Sequence, residues 1–569
     1  MINKIKNIEV PRDLAVELDL EYKQLTYFLN KQDSRKYVKF HILKKSGGFR
    51  EINSPIKELK GIQKRIALFL IDCQSEILLE RFQQKYPEVS LEEEKGREKF
   101  ASFKENQVSH GFEKNKSILT NAEKHKSKRY VINIDLHDFF NSFHFGRVSG
   151  FFIKNKNFQL PEKVAYMISN LCCYEGKLPQ GAPTSPVITN LICNFMDLKI
   201  LNLVKKYKLF YTRYADDLTF STNQKTFLDN YEHFFRELEY IIQKNGFKIN
   251  HSKTRLLYKS QRQEVTGLLV NEKVNIKREY YRSTRSMAYR LYNNKDFYIT
   301  DKRKSASIEQ LSGRFDFIYQ VYKHNKSSNT GFLKEYERFL IYKYFYANKK
   351  PVIVCEGKTD PIYLKAAIKN LHTEFPKLIE KNEKGFNFKI HFLRRSELLS
   401  NILDFAKEGS APINNLYKKI RNNNGYNEYF KNYRKPTFPV ILLLDNELVK
   451  GKPLQKFVND NKNLSNNLLE HIKEKNYQQL KENFFLLTNN HPSDFFTESE
   501  IENLFINTKV NFDGSIDYNG KIFYSKDKFS KYIALNYKDV DFSGFKILLE
   551  NFNNILNEYS EKDNEIEKF

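Results

Sequence analysis

The stretch YADDLTFS at residues 214–221 places two aspartates side by side between aromatic and β-branched residues. The longer run FYTRYADDLTFST (210–222) reads as two short strands, with the aspartates at the turn between them. Asp216 and Asp217 repel each other there, and each raises the pKa of the other unless a cation pairs with them. Asp also favours turns for conformational reasons, so the pair alone is a weak sign of catalysis.

A third carboxylate follows another apolar run. VINIDLHDFF (131–140) reads as a strand that carries Asp135 at its end. Mg²⁺ prefers carboxylate and phosphate oxygens, and two such ions about 3.5 to 4 Å apart hold both ends of an in-line phosphoryl displacement. We therefore predict that Asp135, Asp216 and Asp217 form a magnesium-dependent nucleotidyl-transfer centre.

The composition favours a polyanionic partner. Lys and Arg number 95 against 69 Asp and Glu, and the resulting net charge of +26 exceeds what solubility requires. The 48 Phe and 35 Tyr supply rings that can stack on bases, although a core consumes most of them. A chain of 569 residues is long for one core, so we expect two or more domains.

Cysteine usage and the chain start bear on the compartment. The five cysteines form no CxxC pair and no regular framework, which predicts neither a zinc site nor a disulfide scaffold. The first 20 residues contain no apolar signal segment, and apolar runs such as VILLL (440–444) are too short to cross a bilayer. We expect a cytoplasmic protein without a membrane partner.

Six motifs resemble those of reverse transcriptases and occur in the same order. They are KKSGGFREI (44–52), DLHDFF (135–140), LPQGAPTSP (178–186), YADD (214–217), GFKINHSKT (246–254) and TGLLV (266–270). The resemblance implies an α+β right-hand polymerase with fingers, palm and thumb. It also implies two Mg²⁺ ions on the three aspartates and deoxynucleoside triphosphates as substrates.

The same resemblance implies contacts with the incoming nucleotide. Lys44 or Lys45, together with Arg50, would grip the triphosphate, as their charge allows; a surface ion pair is the alternative for Arg50. Phe140 would crowd a 2′-hydroxyl and so select deoxynucleotides, with ordinary core packing as its alternative.

Two further motifs imply contacts near the template and the leaving group. Gln180 and Gly181 resemble the loop that lies beside the template and the nucleotide. Lys253 resembles a residue that helps to protonate pyrophosphate, which would make it catalytic. A solvated surface lysine is the alternative for this residue.

Two short stretches resemble the retron branch of the family. NAEKH (121–125) matches the motif NAxxH, and VTG (265–267) matches a second signature. HGF at 110–112 agrees but is shared with group II intron enzymes. The resemblance implies a structured noncoding RNA partner, priming from the 2′-hydroxyl of one guanosine, and a branched RNA–DNA product, msDNA. The residues expected to recognise that RNA or msDNA are Asn121, His125, Val265, Thr266 and Gly267.

Pattern changes divide the chain into four predicted parts. Residues 1–278 would form fingers and palm, and the charged segment 86–107 within them reads as a loop or mobile insertion. Residues 279–348 are helical and basic, as a duplex-holding thumb would be, although such charges are often merely solvated. Residues 349–505 restart as an α/β domain, and 506–569 form a C-terminal extension with weak periodicity.

The α/β part carries a second set of acids. VIVCEGKTD (352–360) is a strand that leads into Glu356, and PVILLLDNE (439–447) is a strand that leads into Asp445 and Glu447. Parallel strands deliver such residues to one crevice at their carboxyl ends, where a second Mg²⁺ site can form.

This arrangement resembles the Rossmann-like Toprim domain of topoisomerases, primases and overcoming-lysogenization-defect nucleases. Glu356 would be the motif glutamate, catalytic and metal-binding, while Asp445 and Glu447 would take the DxD positions as further ligands. Glutamate at the second of these positions is a departure that puts the metal geometry, and hence the activity, in doubt.

Two neighbouring stretches have structural interpretations as well. Asp360 is expected to cap a helix with Pro361 at its first position. TESEIENLF (497–505) resembles the acidic segment that follows DxD, so Glu500 or Glu502 would add a ligand, with an ordinary helix start as the alternative.

A reverse transcriptase fused to Toprim resembles retron systems of phage defence, in which msDNA restrains an effector that attacks nucleic acid. One alternative makes the C-terminal half a noncatalytic scaffold that binds msDNA or RNA. Another is a reverse transcriptase of an intron or diversity-generating system. The sequence leaves open the partner RNA, the nuclease target, the trigger and the oligomeric state, including a homo-oligomer.

Overall fold

The computed structural model forms two compact units. The first comprises residues 1–278 with 321–326, and the second residues 279–320 with 327–569. The first unit thus ends where the basic helical stretch begins. The structure describes residues 5, 7–43, 47–293, 297–299, 304–326, 329–383, 385–405, 411–422, 425–430, 434–447, 452–461, 468–489, 500–511 and 513–566.

The first unit mixes helices with short strands, as predicted for fingers and palm. Its α-helices are α1 (Pro11–Glu17), α2 (Tyr22–Asn30), α3 (Lys57–Lys85), α4 (Glu94–Glu105), α5 (Ile118–Glu123), α6 (Phe145–Lys154), α7 (Glu162–Cys172), α8 (Ser185–Lys206) and α9 (Tyr231–Lys244). Its strands are β1 (Tyr37–Leu43), β2 (Phe49–Pro55), β3 (Tyr130–His137), β4 (Phe210–Tyr214), β5 (Asp217–Thr222), β6 (Lys248–Ile249), β7 (Arg255–Tyr258), β8 (Glu264–Val265) and β9 (Leu268–Leu269).

An antiparallel sheet of order β4-β5-β3-β6 lies at the centre of this unit, and β7 also pairs with β3. Val131 and Ile132 of β3 are completely buried, which explains the continuous apolar run in the sequence. Helix α9 buries Phe234, Leu238 and Ile242, which are spaced by four residues and so share one face. Helix α9 therefore packs on the sheet and supports the strands that carry the acidic turn.

The segment 86–107, predicted to be a loop or mobile insertion, contains helix α4. The rings of Phe100 and Phe103 lie 5.0 and 5.4 Å from the ring of Phe82 in α3. The prediction was wrong for this part because two rings three residues apart share a helix face and pack, although the rest of the helix is charged.

The second unit begins with helices and continues as an α/β structure. Its α-helices are α10 (Arg278–Tyr292), α11 (Ile308–His324), α12 (Thr330–Ile341), α13 (Asp360–Asn370), α14 (Glu397–Leu403), α15 (Ala411–Asn422), α16 (Pro453–Asp460), α17 (Leu468–Lys475), α18 (Lys526–Leu535) and α19 (Lys546–Ile566), of which Arg278 and residues 321–324 belong to the first unit. Its strands are β10 (Tyr298–Ile299), β11 (Lys304–Ser305), β12 (Val352–Cys355), β13 (Ile379–Asn382), β14 (Gly385–Phe388), β15 (His391–Phe392), β16 (Val440–Leu444), β17 (Tyr477–Gln479), β18 (Phe484–Thr488), β19 (Thr508–Val510), β20 (Ile516–Tyr518) and β21 (Lys521–Phe523).

The main sheet of this unit has the order β15-β12-β16-β18-β17. Strands β15, β12, β16 and β18 are parallel, and β17 is antiparallel at the edge. Because β12 and β16 are direct neighbours in register, with Val352 opposite Val440, their carboxyl ends lie side by side. The parallel arrangement expected from the two apolar runs is confirmed.

Packing in this unit crosses the boundaries expected near residues 348 and 505. The ring of Phe430 lies 5.5 Å from Tyr292 of α10 and 5.2 Å from Tyr342, which follows α12. Phe529 and Phe545 belong to the same buried cluster as residues of β12 and β16. The proposed thumb and C-terminal extension stay predictions as domains, but both contribute to cores shared with the α/β sheet.

Helix α8 is long and apolar enough to span a membrane, and among the described residues it is the one helix that passes this test. However, 67% of its most apolar window is buried inside the protein. Such burial is typical of a core helix, and α8 packs beneath the acidic turn through residues such as Asn190 and Asp197.

Candidate active sites

The β4–β5 hairpin and the neighbouring strand β3 bring the three predicted aspartates together. The turn residue Ala215 has a φ of 56°, so the two strands are joined by a tight connection. Asp217 lies directly opposite Asp135 on the paired strand, and the Leu136 N–H donates to the Asp216 carbonyl at 3.0 Å. Like charges directly opposite in a sheet destabilise it, so this pairing calls for a cation.

The electrostatics of this site reflect that conflict. Burial, together with the charges of Asp216 and Asp135, raises the pKa of Asp217 to about 7. Burial and the charge of Asp135 also raise the pKa of Asp216, whereas the nearby Arg50 and Lys253 lower it. The protein's own cations therefore compensate the carboxylates only in part.

Asp135 has two partners from the segment that follows α9. Lys253 Nζ lies 2.9 Å from Asp135 Oδ1, and Asn250 Nδ2 donates to Asp135 Oδ2 at 3.1 Å. The Asn250 backbone N–H also donates to the Asp135 carbonyl at 2.8 Å. The structure thus brings predicted Lys253 into the acidic site and adds Asn250, which the sequence reasoning missed although it lies within the motif GFKINHSKT.

These residues fit Mg²⁺ by their donor chemistry. Within the described ranges, no group of three or more His, Cys, Asp or Glu side chains is preassembled around one point. At this site Lys253 and Asn250 both bond to Asp135. Carboxylates are preferred Mg²⁺ ligands, and the excess charge on Asp216 and Asp217 favours a cation. Asp135, Asp216 and Asp217 would therefore hold the metal.

Replacing Lys253 tests whether this lysine acts in the reaction. If it delivers a proton to the leaving group, Lys253→Met should lower the rate of DNA synthesis by about 10²-fold, a typical general-acid contribution, with an unchanged KM for nucleotide. Lys253→Arg is the matched control that keeps the charge beside Asp135. Single-nucleotide incorporation rates measure this, and a Met variant as fast as the wild type would make Lys253 a solvated surface residue.

The fingers residues are partly described. Lys44 and Lys45 lie outside the described residues. Arg50 is exposed on β2, opposite Ile42 of β1, and its charge reaches Asp216. This placement agrees with a role in binding the triphosphate of a nucleotide at the acidic turn.

The loop that contains Gln180 and Gly181 contacts β2. The Asn53 N–H donates to the Gln180 carbonyl at 2.8 Å. Gly181 has a φ of 120°, and a Cβ at this position would lie 2.9 Å from Ile52 Cγ2 and 3.0 Å from the Asn53 carbonyl. Glycine is required at Gly181 because both its conformation and this close approach exclude a side chain.

Phe140 is half-buried and opens a short helical turn directly after β3. Its ring lies 5.4 Å from that of Phe139, which is buried in the core. One side of Phe140 is therefore packed while part of the ring stays exposed, which is compatible with both the predicted gate and its packing alternative.

The two signature motifs pack against each other and are mostly buried. Asn121, His125 and Val265 are completely buried, and the Thr266 hydroxyl lies 3.4 Å from the Ile118 carbonyl of α5. Since all three side chains lie inside the core, a role in supporting the fold is the alternative, and direct RNA recognition by them stays a prediction. Thr266, half-buried, and Gly267, exposed, lie at the β8–β9 turn and stay accessible.

His125 bridges two strands of the palm sheet. Its ring nitrogens lie 2.7 Å from the Ser221 hydroxyl and 2.7 Å from the Thr212 hydroxyl. Burial lowers the pKa of His125 to about 3. The neutral ring therefore stabilises the fold fully above the unfolded pKa of about 6.5, and this contribution is lost as pH falls towards 3.

Replacing His125 tests this structural role. His125→Ala should cost about 3 kcal/mol at pH 7.5, since it leaves a cavity and two unpaired hydroxyls. It should also flatten the loss of stability between pH 6.5 and 3. Denaturant unfolding at several pH values measures both effects. An unchanged unfolding free energy combined with lost RNA affinity would instead support direct recognition of the RNA by His125.

A buried ion pair supports the acidic turn from below. Arg213, just before the turn, is completely buried and bonds Asp197 of α8 through Nε and Nη2 at 3.0 and 2.8 Å. Its Nη1 donates to Asn190 Oδ1 at 3.1 Å. The sequence reasoning missed these residues because the contact depends on how α8 packs against β4, the next strand along the chain, and no local pattern predicts that packing.

The second acidic cluster lies at the carboxyl ends of β12 and β16, as predicted. The Asp445 N–H donates to Glu356 Oε2 at 3.4 Å, so these two predicted residues are direct neighbours. Burial raises the pKa of Glu356 to about 7, and burial raises that of Asp445 well above its usual value. Asn489 Nδ2 and the Ile501 N–H both donate to Asp445 Oδ1, at 2.9 and 3.1 Å.

Asp360 belongs to this cluster and does not cap a helix. Thr359 is the N-cap of α13 and Asp360 is its first residue. The Asp360 carboxylate accepts from the Gly357 N–H at 2.6 Å, is buried, and raises the pKa of both Glu356 and Asp445. The capping prediction was wrong because the loop after β12 turns back. The Asp360 carboxylate therefore bonds to the Gly357 N–H of that loop, and Thr359 takes the N-cap position of α13.

Lysines form ion pairs with the remaining acidic residues around this cluster. Lys452 Nζ lies 2.6 Å from Glu447 Oε1, and Lys526 Nζ lies 2.9 Å from Glu500 and 3.1 Å from Glu502. The charges of Glu500 and Glu502 still raise the pKa of Asp445. Glu356, Asp360 and Asp445 are therefore the oxygen donors best suited to a second Mg²⁺.

Comparisons with known proteins agree with the reverse transcriptase motifs that form the first site. Residues 42–271 match the family described as reverse transcriptase (RNA-dependent DNA polymerase). Retron Ec86 reverse transcriptase of Escherichia coli is 37% identical over 212 residues, which cover 37% of this chain and 62% of that one. Retron Mx162 and Mx65 reverse transcriptases of Myxococcus xanthus are 29% and 30% identical, covering 56% and 46% of this chain and 65% and 57% of theirs.

The chain thus spans 57% to 65% of the length of these three relatives. A telomerase structure from Candida albicans overlaps 54% of this chain and 59% of its own at 10% identity, with a TM-score of 0.30 that is too low to bear on the fold. Residues 42–271 thus match the reverse transcriptase family, and retron reverse transcriptases are among the relatives of this chain.

Proposed function

We propose that this protein is a retron RNA-directed DNA polymerase that makes msDNA on a structured noncoding RNA. The observation that carries the proposal is the placement of Asp135 opposite Asp217 beside the tight turn that bears Asp216. The retron names of the relatives support the choice of RNA partner.

Each side chain of the site has a role in nucleotidyl transfer. Mg²⁺, when bound, neutralises the charge that develops on the transferring phosphoryl group. Asp135, Asp216 and Asp217 hold and orient the site's cation. Arg50 binds the triphosphate from β2, and Lys253, once released from Asp135, would donate a proton to pyrophosphate.

The partner RNA would be recognised largely by shape and charge. Helix α10 exposes Arg282, Arg285 and Tyr289 along one side, at spacings of three and four residues. Such a stripe suits phosphate and sugar contacts with an A-form duplex. Thr266 and Gly267 at the β8–β9 turn are further candidates, and a 2′-hydroxyl of the RNA would serve as the primer.

Sequencing the nucleic acid that copurifies with the protein from its native operon tests this proposal. We expect one RNA species joined to DNA through a 2′,5′ branch, lost from the protein steeply as salt rises. A templated cDNA without a branch would indicate a reverse transcriptase of an intron or diversity-generating system instead. No bound DNA at all would contradict polymerase function.

For the second unit we propose a Toprim-type nuclease that serves as a defence effector restrained by msDNA. Strands β12 and β16 are parallel neighbours that place Glu356 beside Asp445, with Asp360 close to both. This arrangement supports the nuclease proposal. A second Mg²⁺, when bound there, would activate water for phosphodiester cleavage.

A noncatalytic scaffold is the second candidate for this unit, and one observation favours it. Lys452 and Lys526 already pair with Glu447, Glu500 and Glu502. Under this candidate, Glu447→Gln would change nothing, and deleting residues 349–569 would weaken msDNA retention. A nuclease would instead lose activity with Glu356.

A further inference from the structure

Phe112 has a backbone conformation that a bulky residue rarely adopts. Its φ is 64°, in the left-handed region, where an aromatic residue is strained. Its side chain is nevertheless 49% exposed, so burial of the ring does not offset this strain. A fold that retains both an exposed apolar ring and a strained backbone at one residue indicates selection for what the ring contacts.

The backbone on each side of Phe112 is held in place. Gly111 lies so close to the acidic turn that a Cβ would come within 2.5 Å of the Ala215 nitrogen. Asn190 of α8 donates through Nδ2 to the Gly111 carbonyl and to Glu113 Oε1, both at 2.9 Å. Gln74 of α3 donates to the same Glu113 oxygen at 2.8 Å. The network fixes Phe112 relative to the turn that carries Asp216 and Asp217.

The ring of Phe112 faces the predicted gate. Its centroid lies 6.4 Å from that of Phe140, with the two planes inclined by 60°. Phe140 packs on Phe139 on its other side, at 5.4 Å. Phe112 also lines a cavity of about 880 Å³ whose walls carry apolar, amide and charged side chains, among them Leu68, Asn190 and Lys116.

We infer that Phe112 is a specificity-determining residue, whose ring forms with Phe140 an apolar wall for the sugar of the nucleotide at the acidic turn. This inference rests on the proposed polymerase function. An apolar wall accepts the CH₂ at C2′ of a deoxyribose, whereas it would bury a ribose 2′-hydroxyl without a hydrogen-bond partner. Phe112 also prevents Phe140 from swinging away from the sugar.

The test replaces Phe112 by Ala and by Gly in the full chain bound to its RNA. Single-nucleotide incorporation with dNTP and with rNTP gives the selectivity as the ratio of the two kcat/KM values. We expect both variants to lose at least tenfold in selectivity, chiefly through better use of rNTP. Phe112→Gly should melt at the same temperature as the wild type or higher, because glycine relieves the left-handed strain.

Tyr240→Ala is the matched control, since Tyr240 is an aromatic residue on α9 that is 62% exposed. Selectivity within twofold of the wild type in both Phe112 variants would overturn the inference while leaving polymerase function intact. Equal losses for dNTP and rNTP with a lower melting temperature would also overturn it, since they indicate a structural role. A wild type that incorporates neither nucleotide would refute the proposed function itself.

Discussion

Asp216→Asn should abolish DNA synthesis on the partner RNA, with a rate at least 10³-fold below that of the wild type. The substitution keeps the shape of the side chain and leaves the backbone bond from Leu136 to the Asp216 carbonyl in place. It removes a full negative charge from the cation site, so folding and RNA binding should survive while chemistry stops. Primer extension with the copurified RNA measures the rate.

Asp138→Asn is the control for this result. Asp138 lies in the motif DLHDFF, just after β3, and its carboxylate is 66% exposed beside His137. It should retain the wild-type rate because it faces solvent. A residual rate above about 1% in the Asp216 variant, with equal protein and RNA, would show that the acidic turn is not the chemical centre.

Glu356→Gln should leave msDNA synthesis unchanged and end the effector activity of the second unit, measured as nucleic-acid cleavage and as protection against phage. Glu356 and Asp445 are neighbours at the ends of β12 and β16, and both have raised pKa values because burial and the charges of nearby carboxylates, such as Asp360, disfavour their charged forms. Neutralising Glu356 removes a metal ligand while it relieves that repulsion, so the variant should remain folded.

Glu470→Gln on α17 is the control, as an exposed glutamate of the same unit. Its protection should equal that of the wild type. Full protection by the Glu356 variant would eliminate the nuclease proposal and favour the scaffold, in which the acids only balance Lys452 and Lys526. Loss of msDNA in that variant would show that the two activities are not separable.

Local sequence patterns were sufficient for much of the first site. The run of β3 and the turn between β4 and β5 form by short-range rules, so Asp135 and Asp216 could be named beforehand, whereas Lys253 was named only through the resemblance to reverse transcriptases. The same holds for the parallel strands that carry Glu356 and Asp445, because buried strands followed by acids are a local signal.

Other features depend on tertiary packing that no local window contains. The bridge of His125 to Thr212 joins elements distant in sequence, and the pair Arg213–Asp197 depends on how α8 packs against the strand that follows it. Asn121 and Val265 matched motifs of RNA-binding enzymes, yet the motifs pack on each other. A motif match identifies a family resemblance, but it does not tell whether the matched side chain contacts a ligand or supports the fold.

Asp360 illustrates the same limit at the second site. Its sequence context, with Pro361 next, is typical of a helix start, and a helix does begin there. Which oxygen bonds which amide depends on the path of the loop after β12. Only the folded chain shows that this carboxylate accepts from Gly357 and joins the acidic cluster.

Both acidic clusters are proposed to bind Mg²⁺. The melting temperature as a function of Mg²⁺ concentration tests this binding most directly. For the full chain, the wild type should be stabilised as Mg²⁺ rises, Asp217→Asn and Glu356→Gln should each lose part of that gain, and the double variant should lose all of it. An equal Mg²⁺ response in the wild type and the double variant, or none in either, would contradict the claim.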